Sequence, residues 1–150
     1  MQNGNIDQVW DILNQVPDPE IPVISIVELG VVREVKLEND CYIISITPTY
    51  SGCPAVKTFE DDIKISLIKN RITNFKINKV YAPAWTTDWM SKHTKEKLKK
   101  YGISPPSSQA VCPQCNSKNT STISEFGATA CKSMHKCLDC LEPFEHFKCI

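Results

Sequence analysis

Two C-x2-C pairs constrain this chain more than any other feature. They are Cys112-Pro113-Gln114-Cys115 and Cys137-Leu138-Asp139-Cys140, with 21 residues between them. Each pair makes a turn that aims two thiolates at one point. Two such turns complete a tetrahedron of soft sulfur donors, the set that zinc prefers. Between the pairs, Thr120 to Ser124 and Ala128 to Lys136 are predicted to form short strands about Gly127, as in a zinc ribbon. Four closed ligands leave no open coordination position, so the zinc would be structural and not catalytic. The same four cysteines could instead hold an iron–sulfur cluster, although paired knuckles across a ribbon favour zinc. A redox C-x-x-C is the weaker reading, since two matched pairs would then be a coincidence. With four cysteines in register, His135 and His146 are not needed as ligands.

A module of about 40 residues has little core and usually needs a metal, disulfides or a partner, whereas about 100 residues can bury a real one. The 150-residue chain divides accordingly. Ser104-Pro105-Pro106-Ser107-Ser108-Gln109 has the composition of an extended linker, and six of the eight cysteines lie beyond it. The expected organisation is a first domain over 1–103, a linker over 104–110 and a four-cysteine zinc ribbon over 111–150. The reduced thiols this requires, and an N-terminus without a secretory pattern, point to the cytoplasm. No run of 18 apolar residues suggests a membrane span.

Charge argues against nucleic acid as the partner. The 17 basic and 17 acidic residues cancel, and a split after Ala110 leaves 13 of each before it and four of each after it. Phosphate neutralisation needs an excess of Lys and Arg on one face. The cluster Lys92, Lys95, Lys97, Lys99 and Lys100 reads as a solvated helix face.

The first domain is predicted to be α/β (α+β), a small mixed sheet with about three helices. Ile6, Val9, Trp10, Leu13 and Val16 repeat at helical spacing, and Pro17 closes that helix. Residues 30–38 and 41–47 alternate as strands about a turn at Glu38-Asn39-Asp40. Val56, Phe59, Ile63 and Leu67 mark a second helix ending near Asn70, and 72–81 a third strand. A third helix carries Met90 and Leu98 inward, with Thr87 or Asp88 as its cap and Gly102 as its stop.

Cys53 is the reactive-looking residue. It follows Gly52 and precedes Pro54 where the second helix begins. Proline suits the first helical turn, and the positive end of a helix stabilises a thiolate. Such a thiolate can ligate a metal or attack an electrophile; a half-buried loop cysteine is the alternative. Asp18 and Glu20 flank Pro19 in a rigid turn and read as caps or as carboxylate ligands. Trp85 and Trp89 suit either core packing or a docking patch. Cys131 and Cys149 read as small buried hydrophobes or as a secondary thiol or metal site.

Several of these segments together carry a family resemblance. Asp18-Pro19-Glu20-Ile21-Pro22, Glu28-Leu29-Gly30-Val31-Val32 and Thr47-Pro48-Thr49-Tyr50-Ser51-Gly52-Cys53-Pro54-Ala55 resemble the small iron–sulfur-assembly domains that include SufT. Pro83-Ala84-Trp85-Thr86-Thr87-Asp88-Trp89, Gly102-Ile103-Ser104-Pro105-Pro106 and Glu142-Pro143-Phe144-Glu145-His146-Phe147-Lys148-Cys149 narrow it. Together they resemble the PaaD (PaaJ) family, D subunits of the phenylacetyl-CoA epoxidase, or phenylacetate-CoA oxygenase, system of aerobic phenylacetate degradation. That resemblance implies an accessory component, not a catalyst, that assists assembly of iron or iron–sulfur centres. The partners it implies are the other oxygenase subunits or iron–sulfur assembly proteins. It also implies that Cys53 is the functional thiol, a transient ligand of iron or a cluster, with Asp18 and Glu20 as its acidic partners. The alternatives are a purely structural docking subunit and, less favoured, a nucleic-acid-binding ribbon.

Overall fold

A computed structural model describes residues 6–49 and 56–148 of the chain. Packing divides the chain into two compact units, Met1–Trp85 and Thr86–Ile150.

The first unit opens with α1 (Ile6–Leu13), which buries Val9, Ile12 and Leu13. The helix stops earlier than the spacing suggests. Gln15 and Val16 donate three residues back, to Ile12 and Leu13, and tighten the last turn ahead of Pro17. Strands β1 (Val32–Glu38) and β2 (Cys41–Ile46) pair antiparallel, with Glu38 opposite Cys41. The two linking residues, Asn39 and Asp40, have φ of 49° and 63°. Two left-handed residues in a two-residue loop match the right-handed twist of a hairpin, and Asn and Asp adopt that conformation more readily than most residues. Helix α2 (Val56–Lys69) buries Phe59, Ile63 and Leu67, one residue per turn on a single face. It forms the crossover to β3 (Phe75–Lys79), which lies parallel to β2 and gives the sheet order β1-β2-β3. The mixed sheet expected from the sequence is present.

The second unit begins with a short 3₁₀ turn, Thr87–Trp89, capped by Thr86. Helix α3 (Lys92–Tyr101) follows and is capped by Ser91, whose Oγ accepts from Thr94 N at 3.1 Å. The expected caps Thr87 and Asp88 belong to the 3₁₀ turn instead, because Met90 is extended and separates the two helices. Gly102 ends α3 at φ 97°, where a β-carbon would be strained, and returns its N–H to Leu98 and Lys99. Composition predicts linker from Ser104 onward, but Ile103–Ser104 form β4 beside Glu145 and His146. This pairing joins β4 to the ribbon sheet, so the segment expected as linker opens on a strand residue. The sheet order is β4-β7-β6-β5, with β5 Thr120–Ser124, β6 Lys132–Cys137 and β7 Pro143–Phe147. Strand β7 is not evident from the sequence pattern. Its Pro143 is tolerated because it is the first strand residue.

Candidate functional site

The two C-x2-C turns face each other at the end of β6. Asn116 and Leu141, each following the second cysteine of its pair, both take positive φ, 64° and 67°. This reverses the chain after each knuckle and turns both sulfurs inward. Cys112 and Cys137 are fully buried, while Cys115 and Cys140 are exposed. Their four Sγ atoms all lie within 4.8 Å of one another. Across the knuckles, Cys112 Sγ is 3.6 Å from Cys140 Sγ and Cys115 Sγ is 3.5 Å from Cys137 Sγ. Ligands of one tetrahedral ion with metal–sulfur bonds of about 2.3 Å stand about 3.8 Å apart. The donor set fits a single metal ion. In a cluster the four sulfurs bind different irons and must spread further.

Four thiols this close cannot all ionise unaided. Cys137 is lowered to about 7, first by the Cys140 backbone N–H, then by that of Asp139 and by the sulfurs of Cys115 and Cys140, against its desolvation. Cys140 moves the opposite way. A backbone hydrogen bond at Glu142 lowers it, but desolvation and the thiols of Cys112, Cys137 and Cys115 push it up to about 12. A divalent cation removes that conflict, because it neutralises the neighbours that hold Cys140 protonated.

Around the knuckles lie residues that the cysteine spacing did not reveal. Ser117 Oγ donates to Asp139 Oδ2, and Asn119 Nδ2 donates to Asp139 Oδ1 at 3.2 Å. Below the site, Ala110, Cys112, Cys137 and Phe144 form a small core. His135 stacks on Phe144 at 5.7 Å and meets the edge of His146 at 5.4 Å. Neither histidine belongs to the sulfur cluster.

His146 sits below its ordinary pKa, first through burial and then through the His135 ring, although a Pro105 backbone hydrogen bond raises it. The unfolded chain therefore takes up this proton at higher pH than the folded one. The neutral ring's contribution to stability is complete above about pH 6.5 and is lost as pH falls below it. Urea unfolding of the metal-loaded protein at pH 7.5 and pH 5.5 should show a smaller stability loss in His146→Gln than in wild type. Equal losses would rule out this histidine as a source of acid sensitivity.

The remaining candidate residues separate by location. Asp18 is buried, and its Oδ1 accepts from Glu20 N at 2.9 Å and Ile21 N at 2.7 Å, so it caps the turn that follows. Glu20 is exposed. Of the two readings for Trp85, the geometry is that of core packing. It is 3% exposed, and its indole N–H donates to the Leu29 carbonyl at 3.0 Å. Large apolar area and a satisfied N–H make it a core anchor of the first unit. Trp89 is half-buried. Cys131 is buried, with its Sγ 2.9 Å from Thr129 Oγ1. Cys53 and Cys149 lie outside the described residues. Lys92, Lys99 and Lys100 are exposed on α3, in line with a solvated face. No helix among the described residues is long and apolar enough to cross a membrane.

Fold and site define a class: a small α/β domain carrying a four-cysteine ribbon. Comparison with known proteins makes it specific. A family described as the PaaD zinc beta ribbon domain matches residues 98–148. One described as iron–sulfur cluster assembly protein matches residues 6–70. A protein of Escherichia coli (strain K12), named as the D subunit of 1,2-phenylacetyl-CoA epoxidase, is 44% identical over 154 residues, which cover 97% of this chain and 93% of that one. YitW of Bacillus subtilis (strain 168), named an Fe–S protein maturation auxiliary factor, is 33% identical over 65% of this chain and 97% of its own. A crystal structure of a DUF59 domain from Bacillus anthracis superimposes with a TM-score of 0.58 at 31% identity, covering 62% of this chain and 90% of that one. The chain belongs to the PaaD family, in which an iron–sulfur-assembly domain precedes a zinc ribbon.

Proposed function

We propose that this protein is a non-catalytic accessory subunit of a phenylacetyl-CoA epoxidase (phenylacetate-CoA oxygenase) system, and that it assists assembly of the iron or iron–sulfur centres of its partners. The observation that carries this reading is the union, in one chain, of an assembly module over 6–70 and a PaaD ribbon over 98–148. The ribbon holds one resident zinc through Cys112, Cys115, Cys137 and Cys140. A closed set of four thiolates suits a d¹⁰ ion with no redox chemistry and no open position. The zinc supplies folding energy and no reaction step. Iron is the cargo, and Cys53 receives it. The sequence pattern Gly52-Cys53-Pro54 supports a thiolate at a helix start, where the positive end of the dipole favours it, and Glu20 offers an exposed carboxylate. Asp18 holds the turn that presents Glu20. With Trp85 in the core, Trp89 and the ribbon are the docking elements.

The test is Cys53→Ser, co-expressed with the oxygenase and reductase subunits. Iron in at least one partner should fall several-fold, while zinc stays at one per chain. Normal iron occupancy with full epoxidation would sink the assembly reading and favour a purely structural role. A chain with that role would instead lose its partners on Trp89→Ala.

A further inference from the structure

We infer that Asp139 is a positioning residue that latches the two knuckles together and controls how fast the metal leaves. The inference rests on the reading that the four cysteines hold one ion. The two knuckles belong to distant parts of the chain, and the β5–β6 ladder that brings them together ends at the pair Thr120 and Cys137, just short of Ser117 and Asp139. Leu138 N donates to Asn119 O at 2.9 Å. The Asp139 carboxylate adds two more, from the Ser117 hydroxyl and the Asn119 amide. Asn119 N in turn donates to Ser117 Oγ at 3.0 Å, which fixes the hydroxyl that reaches Asp139.

The position of this latch makes it more than a surface tie. Ser117 follows Cys115 by two residues, and Asp139 lies between Cys137 and Cys140, whose backbone N–H donates to Cys137 Sγ at 3.4 Å. The side chains of Ser117 and Asp139 are joined to each other. One contact therefore ties the segment behind Cys115 to the turn that carries the N–H donor to Cys137. Outer partners of this kind commonly account for 10–100-fold in metal affinity.

Exposure indicates the route of loss. Each knuckle contributes one buried sulfur, Cys112 or Cys137, and one exposed sulfur, Cys115 or Cys140. A chelator must begin on the exposed pair. Cys115 precedes Ser117 by two residues, and Cys140 follows Asp139 directly. The Ser117–Asp139 contact thus lies beside both exposed cysteines. The latch keeps the zinc resident, as a docking module needs, and separates it from the cargo iron.

The experiment uses the zinc-loaded full chain mixed with excess 4-(2-pyridylazo)resorcinol, following zinc capture by absorbance. Asp139→Ala should release zinc about tenfold faster or more. Asp139→Asn, which keeps one acceptor oxygen, should fall between it and wild type. Gln114→Ala, an exposed change in the other knuckle, should match wild type. If Asp139→Ala does not fold, Ser117→Ala removes the donor with less disturbance and should also speed release. The double variant should be no faster than Asp139→Ala alone. In cobalt-loaded protein, Asp139→Ala should shift the ligand-field bands, which a change in global stability alone would not do. Wild-type release rates in both single variants, or full additivity in the double one, would overturn the latch while leaving the zinc reading intact. A wild-type protein that binds no zinc or cobalt at the four cysteines would overturn both.

Discussion

Stripping the metal is expected to unfold the ribbon while the first unit stays folded. Amide signals from residues 111–148 should collapse toward random-coil positions in a ¹H–¹⁵N spectrum after exhaustive EDTA treatment. Those from 6–49 should keep their dispersion, and added zinc should restore the rest. The asymmetry follows from what each unit buries. The first has its own core, with Val9, Leu13, Ile44, Ile46, Phe59, Ile63 and Leu67 all nearly inaccessible. The second unit buries Leu98, Ile103 and Phe147 along α3, β4 and β7, but the cluster at the four cysteines contains only four residues, and two of them, Cys112 and Cys137, belong to the sulfur set. Without the ion this core must bury two thiols that belong to a crowded, partly ionised set. Structural zinc in small modules contributes an apparent 10–16 kcal/mol at neutral pH, roughly the whole stability of such a unit. A dispersed ribbon spectrum in metal-free protein would show that the sheet, and not the ion, holds the module.

The second large effect should come from Glu145→Ala. Lys132 on β6 is buried, with a side chain only 4% exposed, and its Nζ lies 3.5 Å from Glu145 Oε1 on β7. The other carboxylate oxygen accepts from Ala128 N at 2.9 Å. A β-carbon at Gly127 would collide with that same oxygen, so glycine leaves room for the carboxylate to sit there. Removing Glu145 leaves the buried Lys132 ammonium without its counter-charge, a change that typically costs about 3–5 kcal/mol for a buried pair. Removing the ammonium as well relieves the penalty. Urea denaturation of the zinc-loaded protein should therefore rank Lys132→Met/Glu145→Gln well above Glu145→Ala. If Glu145→Ala costs under about 1 kcal/mol, the ammonium reaches water by a small rearrangement, and the pair is no more than a surface contact.

Much of the first unit was legible because its signals are local. Phe59, Ile63 and Leu67 mark α2 by spacing alone, and Asn39-Asp40 marks the hairpin through its tolerance of positive φ. Gly102 likewise marks the end of α3. The cap of α3 lies a few residues beyond the position its chemistry suggests. Thr87, Asp88 and Ser91 are all chemically competent caps, and only the extended backbone at Met90 selects Ser91. Trp85 shows a different limit. An aromatic in a loop is as suited to a docking patch as to a core, and the choice rested on a carbonyl 56 residues away, at Leu29.

The sulfur cluster could be read directly from the chain, since four cysteines at these spacings leave few other arrangements for a module this small. So could the family, through motifs that run along nearly the whole chain. What surrounds the sulfurs emerges only from the folded sheet. The pairing of β4 with β7, the seating of Glu145 against Lys132, and the meeting of Ser117 with Asp139 across 22 residues follow no local period. The reason is physical. A ligand spacing of two residues is fixed by the geometry of one turn, whereas a contact between distant residues exists only once the sheet register has brought them together.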